Sequence, residues 1–258
     1  MKINIPTSWD QITVEQFIEL NTMNVDEFDS VTSIQLERLA IITETSSDDE
    51  IWEELDVREL NRYVKESLFL TKNPSTNYKK ELFSGEYVAK DFIALTLGEF
   101  IDLEYFLSEG NILNLPKISA ILYRKKRIGD WGETIIEPYS VINLKEREKI
   151  FFDLMITDIF GLLTAYIEFK TDFLKKYEAL FEPEYDFDEE SEEELDEVSS
   201  FEAEQEKIAE EKVKKWSWEK LLFMIAGNDM LKVDQATEMG LVYAFNLLSM
   251  KQELNINS

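Results

Sequence analysis

The chain reads as mostly α: a helical bundle with one or two short β-hairpins and an acidic insertion expected to be disordered. Three observations carry this. Apolar residues recur at helical spacing over most of the 258 residues. Three Ser/Thr positions are followed three residues later by Glu or Gln, the pattern in which two side chains satisfy two orphan amides at a helix start. Acidity is also concentrated, with sixteen carboxylates and one cation, Lys207, between residues 182 and 211, a local charge of −15 out of −27. Such aliphatic-poor, self-repelling sequence buries too little to fold by itself. The organisation expected is a helical body over 1–181, an acidic insertion or linker over 182–212, and a helical pair over 213–258 that packs back on the body.

The elements follow in order. Thr13 with Gln16 caps a helix that carries Phe17, Ile18 and Leu20. Residues 30–44 form a second helix through Ile34, Leu36, Leu39, Ile41 and Ile42. Ser47 with Glu50 caps a third, and 56–70 continues the pattern through Leu60, Tyr63, Val64 and Leu68. Residues 81–89 read as a hairpin turning at Ser84-Gly85. Thr96 with Glu99 caps the next helix, which Gly110 stops. Pro116 opens a helix over 117–125. Residues 127–139 read as a second hairpin, with Gly129 and Gly132 at its turn. Asn143 opens a helix to about 154, and Thr157 or Asp158 a longer one to about 180. Ser217 caps a helix that Trp216 and Leu221 would staple. Gly227-Asn228-Asp229 breaks the chain, and Asp234 caps the last helix through Leu248. No internal repeat stands out.

Composition removes whole classes of chemistry. There is no His and no Cys, so imidazole acid–base catalysis, serine–histidine triads, thiol nucleophiles, disulfides and Cys/His zinc sites are excluded. The segment GDWG over 129–132 lacks both the P-loop ending and a Gly-x-Gly-x-x-Gly spacing. Carboxylates remain, but with 54 of them pairs arise everywhere. Asp186, Asp188, Glu190, Glu192, Glu194 and Glu197 fall on the ligand positions of a calcium loop, yet Ser191 stands where the sharp turn requires Gly. We therefore expect no enzyme, no metal and no cofactor. A net charge of −27 opposes direct contact with nucleic acid. The apolar runs are too short to span a bilayer, and MKINIPTSWDQI lacks the apolar core of a secretory leader.

What remains is binding to protein. Arg124, Lys125, Lys126 and Arg127 form one basic cluster, read first as a helix end whose cations suit the dipole. The sharper reading is a dock for an acidic partner, including this chain's own 182–211 segment. Aromatic and Met positions, Met224, Met230, Met239 and Met250 among them, default to core packing. Trp216 and Trp218 lie two apart and cannot share a helix face, which sends one of them to an interface.

The opening NIPTSWDQITVEQFIEL, the TKNP stop and LTLGEFIDLEYFL resemble proteins of the structural-gene clusters of tailed phages. The closing WSWEKLLFMIAGNDMLKVDQATEMGLVYAFNLLSMKQEL is similar to the C-terminal pattern of phage tail-assembly chaperone-like proteins. The resemblance implies a non-enzymatic chaperone that binds a structural partner, a tape-measure-like protein, in the host cytoplasm during virion assembly. It places the partner-binding surface at Trp216, Trp218, Leu222, Asp229, Lys232, Asn246, Leu247 and Lys251. The rival readings are a permanent virion component, such as a head–tail connector or ring subunit, and an acidic DNA-mimic regulator.

Overall fold

Side-chain caps and backbone bends punctuate the chain into fifteen regular elements among the described residues, which are 3–108, 112–181 and 217–254 of this computed structural model. They are α1 (Val14–Thr22), α2 (Val31–Thr43), α3 (Glu50–Glu53), α4 (Val57–Glu66), β1 (Glu81–Leu82), β2 (Tyr87–Ala89), α5 (Leu97–Ser108), α6 (Leu115–Leu122), β3 (Tyr123–Ile128), β4 (Thr134–Ile136), α7 (Val141–Phe152), α8 (Ile156–Lys176), α9 (Ser217–Ile225), α10 (Val233–Thr237) and α11 (Leu241–Glu253). The protein is mostly α. Gly110, the acidic stretch with its calcium-loop frame, and Trp216 lie outside the described residues.

Several expectations change; among the helix ends, α4 stops at Glu66, α7 and α8 start at Val141 and Ile156, before the residues expected to open them, and Asp234 lies inside α10. The two hairpins are not separate ornaments: β1 to β4 form one antiparallel sheet in sequence order, with Tyr87 opposite Lys125 and Arg127 opposite Ile135. The helix opened by Pro116 ends at Leu122 and not at 125, because Tyr123 turns extended (φ −104°, ψ 129°) and joins β2. Ser47 sits in a turn and caps nothing; α3 starts after Asp49, whose carboxylate accepts the Ser46 amide over 3.0 Å. The last helix is broken in two: α10 ends at Thr237 and α11 begins after Gly240.

That break has a cause in the opposite backbone. Leu97 N–H donates to Met239 O and Leu241 N–H donates to Leu95 O, both over 2.8 Å, around a Thr96–Gly240 bridge. A continuous helix through 237–241 would keep these groups for itself. The same arrangement occurs a second time. Val14 N–H donates to Leu154 O and Ile156 N–H to Ile12 O, again over 2.8 Å, around a Thr13–Met155 bridge.

The correspondence runs through the residues on both sides. Residues 9–19, WDQITVEQFIE, match 92–102, FIALTLGEFID; residues 154–163, LMITDIFGLL, match 239–248, MGLVYAFNLL. In each copy a short 3-10 turn leads to a capping Thr. Ile12 and Leu95 before it, and Val14 and Leu97 after it, are all fully buried. Phe17 meets Phe160 edge to face at 5.8 Å, and Phe100 meets Phe245 at 6.0 Å. The chain thus contains one two-helix motif twice, with the helix starts of each copy tied by a single β-bridge.

The copies fall in different compact units. Unit 1 comprises Met1–Asp91 and Leu103–Phe169; unit 2 comprises Phe92–Asp102 and Lys170–Ser258. Neither is a continuous stretch, and both draw on the body expected over 1–181. Unit 1 packs α6 against α7 and β3, with the buried Tyr123 and Phe151 rings 6.0 Å apart, and α8 adds the buried Tyr166, whose hydroxyl donates to Glu104 over 3.2 Å. Unit 2 is held by an aromatic cluster in which Phe100, Phe173, Tyr177, Phe181, Trp218 and Phe245 meet at ring spacings of 4.9–6.2 Å. Each such pair adds roughly 0.5–1.5 kcal/mol beyond the area it buries.

Candidate functional site

The basic cluster is a strand and not a helix end. On β3 its side chains alternate, and three of the four meet the sheet's own acceptors. Arg124 is 1% exposed; its guanidinium lies over the Tyr139 ring at 5.1 Å and donates to the Glu137 carbonyl over 3.0 Å. Lys125 pairs with Glu86 at 2.8 Å, and Lys126 pairs with Glu81. Arg147 of α7, also buried, reaches the Glu137 carboxylate at 3.6 Å and the Ser140 carbonyl at 3.1 Å. Two buried cations therefore clamp the 137–140 connection. Arg127 alone of the four is both exposed and without an ion pair among the described residues.

The residues expected from the C-terminal pattern separate into scaffold and surface. Trp218 belongs to the aromatic cluster, edge-on to Phe100 at 5.2 Å and to Phe181 at 5.7 Å. Asp229 caps the 3-10 turn Met230–Lys232 through the Leu231 amide at 3.0 Å and pairs with Lys232 at 3.4 Å. Asn246 accepts the Tyr177 hydroxyl over 2.8 Å. Lys251 donates to the Met224 carbonyl over 3.1 Å, a cation at the C-terminal end of α9 where the dipole favours it. Leu247 is half-buried on α11.

Leu222 is different, because it lines a groove. With Glu219, Lys220 and Phe223 on α9, and Met230 and Val233 opposite, it encloses about 420 Å³ with almost wholly apolar walls. Glu219, Leu222 and Phe223 stand at i, i+3 and i+4 and so form one stripe of the helix. Gly227 and Asn228, both at positive φ, reverse the chain after α9 and bring the Met230 turn across from that stripe. Met230 is 73% exposed and Leu231 90%. Helical spacing sends Met230 to the core, and nothing in the sequence singles out Leu231. Their exposure follows from the Asp229-capped turn, and the only hint of it in sequence was the Gly-Asn-Asp break itself.

A second hollow, of about 590 Å³, lies in unit 1 between α1 and α2. Glu15, Glu19, Glu37 and Glu44 face it, and burial followed by repulsion from the other three holds the Glu19 carboxyl above its ordinary range. Among the described residues no cluster of three or more carboxylates is arranged to hold a metal ion, and no helix is long and apolar enough to cross a membrane. No protein-family model matches the chain, and no curated protein or solved structure proved similar to it.

Proposed function

We propose that this protein is a non-enzymatic assembly chaperone of the tailed-phage kind, which binds an aggregation-prone helical structural partner of the tape-measure type in the host cytoplasm. The observation that carries the reading is the unit 2 groove lined by Leu222, Phe223, Met230 and Val233, with the exposed Leu231 following Met230 in the chain. Adjacent large apolar residues at such exposure are unfavourable on a free surface and serve a protein-binding one. Methionines suit a surface that must accept varied side chains, since the thioether chain is unbranched and polarisable. A net charge of −27 keeps a client complex soluble. The resemblance of the C-terminal segment to tail-assembly chaperone-like proteins points the same way.

The test is co-expression with the tape-measure-like protein of the same gene cluster. The full chain should raise that partner's soluble fraction and co-purify with it, and Met230→Glu, which puts a charge in the groove at an exposed position, should abolish both. Loss of neither effect in Met230→Glu would remove the groove from the account. Mass spectrometry of infected-cell lysate beside purified particles then decides between a chaperone that leaves and a permanent component. The expected result is protein abundant in the lysate and absent from the particle.

A further inference from the structure

We propose that Arg147 of α7 and Tyr87 of β2, both in unit 1, form a binding site for a small oxyanion of the phosphate type. Arg147 is 6% exposed, and its guanidinium is only partly satisfied. Nη2 donates to the Ser140 carbonyl over 3.1 Å, whereas Nε and Nη1 meet no hydrogen-bond acceptor among the described residues. The Glu137 carboxylate, 3.6 Å from Nη1, is too distant to accept. A buried guanidinium whose N–H groups lack acceptors is costly, and a bound anion removes that cost.

The surroundings favour an anion. The bond to Ser140 holds the guanidinium at the start of α7, where the dipole is positive and the Ser140 side chain caps no amide. Phe151, one turn after Arg147 on the same face of α7, meets the Tyr87 ring at 6.2 Å and so brings β2 alongside. Tyr87 is 8% exposed, and its hydroxyl makes no hydrogen bond among the described residues. Burial pushes that phenol above its ordinary range, so it stays a donor, with Lys125 and Arg147 near enough to act on it. Two carboxylates oppose an anion here. Glu86 is already paired with Lys125 at 2.8 Å, which leaves Glu137 as the competing charge. A phosphate has oxygens enough to meet Nε, Nη1 and the phenol together, and the planar guanidinium suits it.

The experiment is equilibrium dialysis of the full chain against radiolabelled inorganic phosphate, with chloride as the balancing salt, beside thermal melts in each salt. Phosphate should saturate a single site per chain and raise the melting temperature by about 3 °C at about tenfold over its Kd. Acetate at the same ionic strength should bind about tenfold more weakly or worse. Tyr87→Phe removes a hydroxyl that bonds to no described residue, so it should melt like the parent in chloride yet bind phosphate about fivefold more weakly. Glu137→Gln removes the competing charge from a partly exposed side chain and should tighten phosphate binding about fivefold. Arg147→Lys keeps the charge but loses the fork and should abolish binding. If that variant does not fold, the Tyr87 and Glu137 variants carry the test. An Arg147 that only braces the 137–140 connection predicts melting changes alike in both salts and no phosphate uptake. Absence of saturable phosphate binding, acetate binding as tight as phosphate, or a phosphate affinity that neither Tyr87→Phe nor Glu137→Gln alters overturns the proposal.

Discussion

Gln16 and Glu99 hold the same place in two copies of one motif. Each is the third residue of its helix and accepts the amide of a Thr three residues earlier over 2.8 Å. Each in turn donates its own amide to that Thr hydroxyl over 3.2 Å. They differ in what the second terminal atom does: Gln16 Nε2 donates to the carbonyls of Ile41 and Ile42 at 3.2 and 3.3 Å, whereas Glu99 is a fully buried carboxylate.

Equivalence of the two caps predicts equivalent losses. Thr13→Ala and Thr96→Ala should each cost about 1 kcal/mol in urea denaturation. Glu99→Gln keeps the acceptor and should cost less than Glu99→Ala. Equal losses from those two Glu99 variants would show that the acceptor oxygen is not what the position supplies.

The edge-to-face pairs set the scale of the core. Phe245 is fully buried among four other rings, so Phe245→Ala should destabilise by roughly 3–5 kcal/mol, the range for emptying a buried aromatic site. Tyr243 on the exposed side of the same helix should be nearly neutral when truncated to Ala. Comparable chemical-denaturation midpoints for the two variants would contradict the assignment of faces.

Position matters equally where the copies diverge. Gly161 of α8 corresponds to Asn246 of α11. A Cβ on Gly161 would overlap the carbonyl oxygen of Thr76 and the backbone of Asn77, neither of which can swing away. Gly161→Ala should cost roughly 1–3 kcal/mol or more. Asn246→Ala loses one exposed hydrogen bond from the Tyr177 hydroxyl and should cost about 1 kcal/mol. A thermal melt in which the order is reversed would mean that the Thr76–Asn77 segment yields.

Glu19 gives the pH dependence. Its carboxyl is raised above the ordinary 4.5, first by burial and then by Glu15, Glu37 and Glu44, so the folded state binds its proton more tightly than the unfolded chain does. By linkage the charged form is a liability at neutral pH, relieved as pH falls through the raised value. Glu19→Gln should therefore melt slightly higher than the parent at pH 7, and the difference should vanish by about pH 4. A gain of the same size at both pH values would assign the effect to packing.

Much of the architecture was legible because it is written locally. The Thr13 and Thr96 caps, the extent of α2, the hairpin at Ser84-Gly85 and the break after Ala226 depend on residues within four positions of one another. The repeat was not legible. Only Thr, Phe and Ile recur in the first segment, and Phe and two Leu in the second, while what is preserved is an apolar class at a buried position and a backbone bridge. In the candidate site, Leu222 is a position that the C-terminal resemblance names and that lines the groove. Met230 was misassigned and Leu231 missed, because exposure is a property of the turn that carries them.

By itself the sequence determined the mostly α class, the absence of thiol and imidazole chemistry, and the starts of α1 and α5, since caps and composition act through neighbouring residues. The tertiary structure alone decided that the two hairpins join into one sheet, that Arg124 is buried, and that the last helix breaks at Gly240. In each case the deciding partner is distant along the chain: β2 for Arg124 and Lys125, and the backbone of Leu95 and Leu97 for Met239 and Leu241. A backbone amide takes whichever acceptor the fold brings to it, and that choice is made only when the chain has closed.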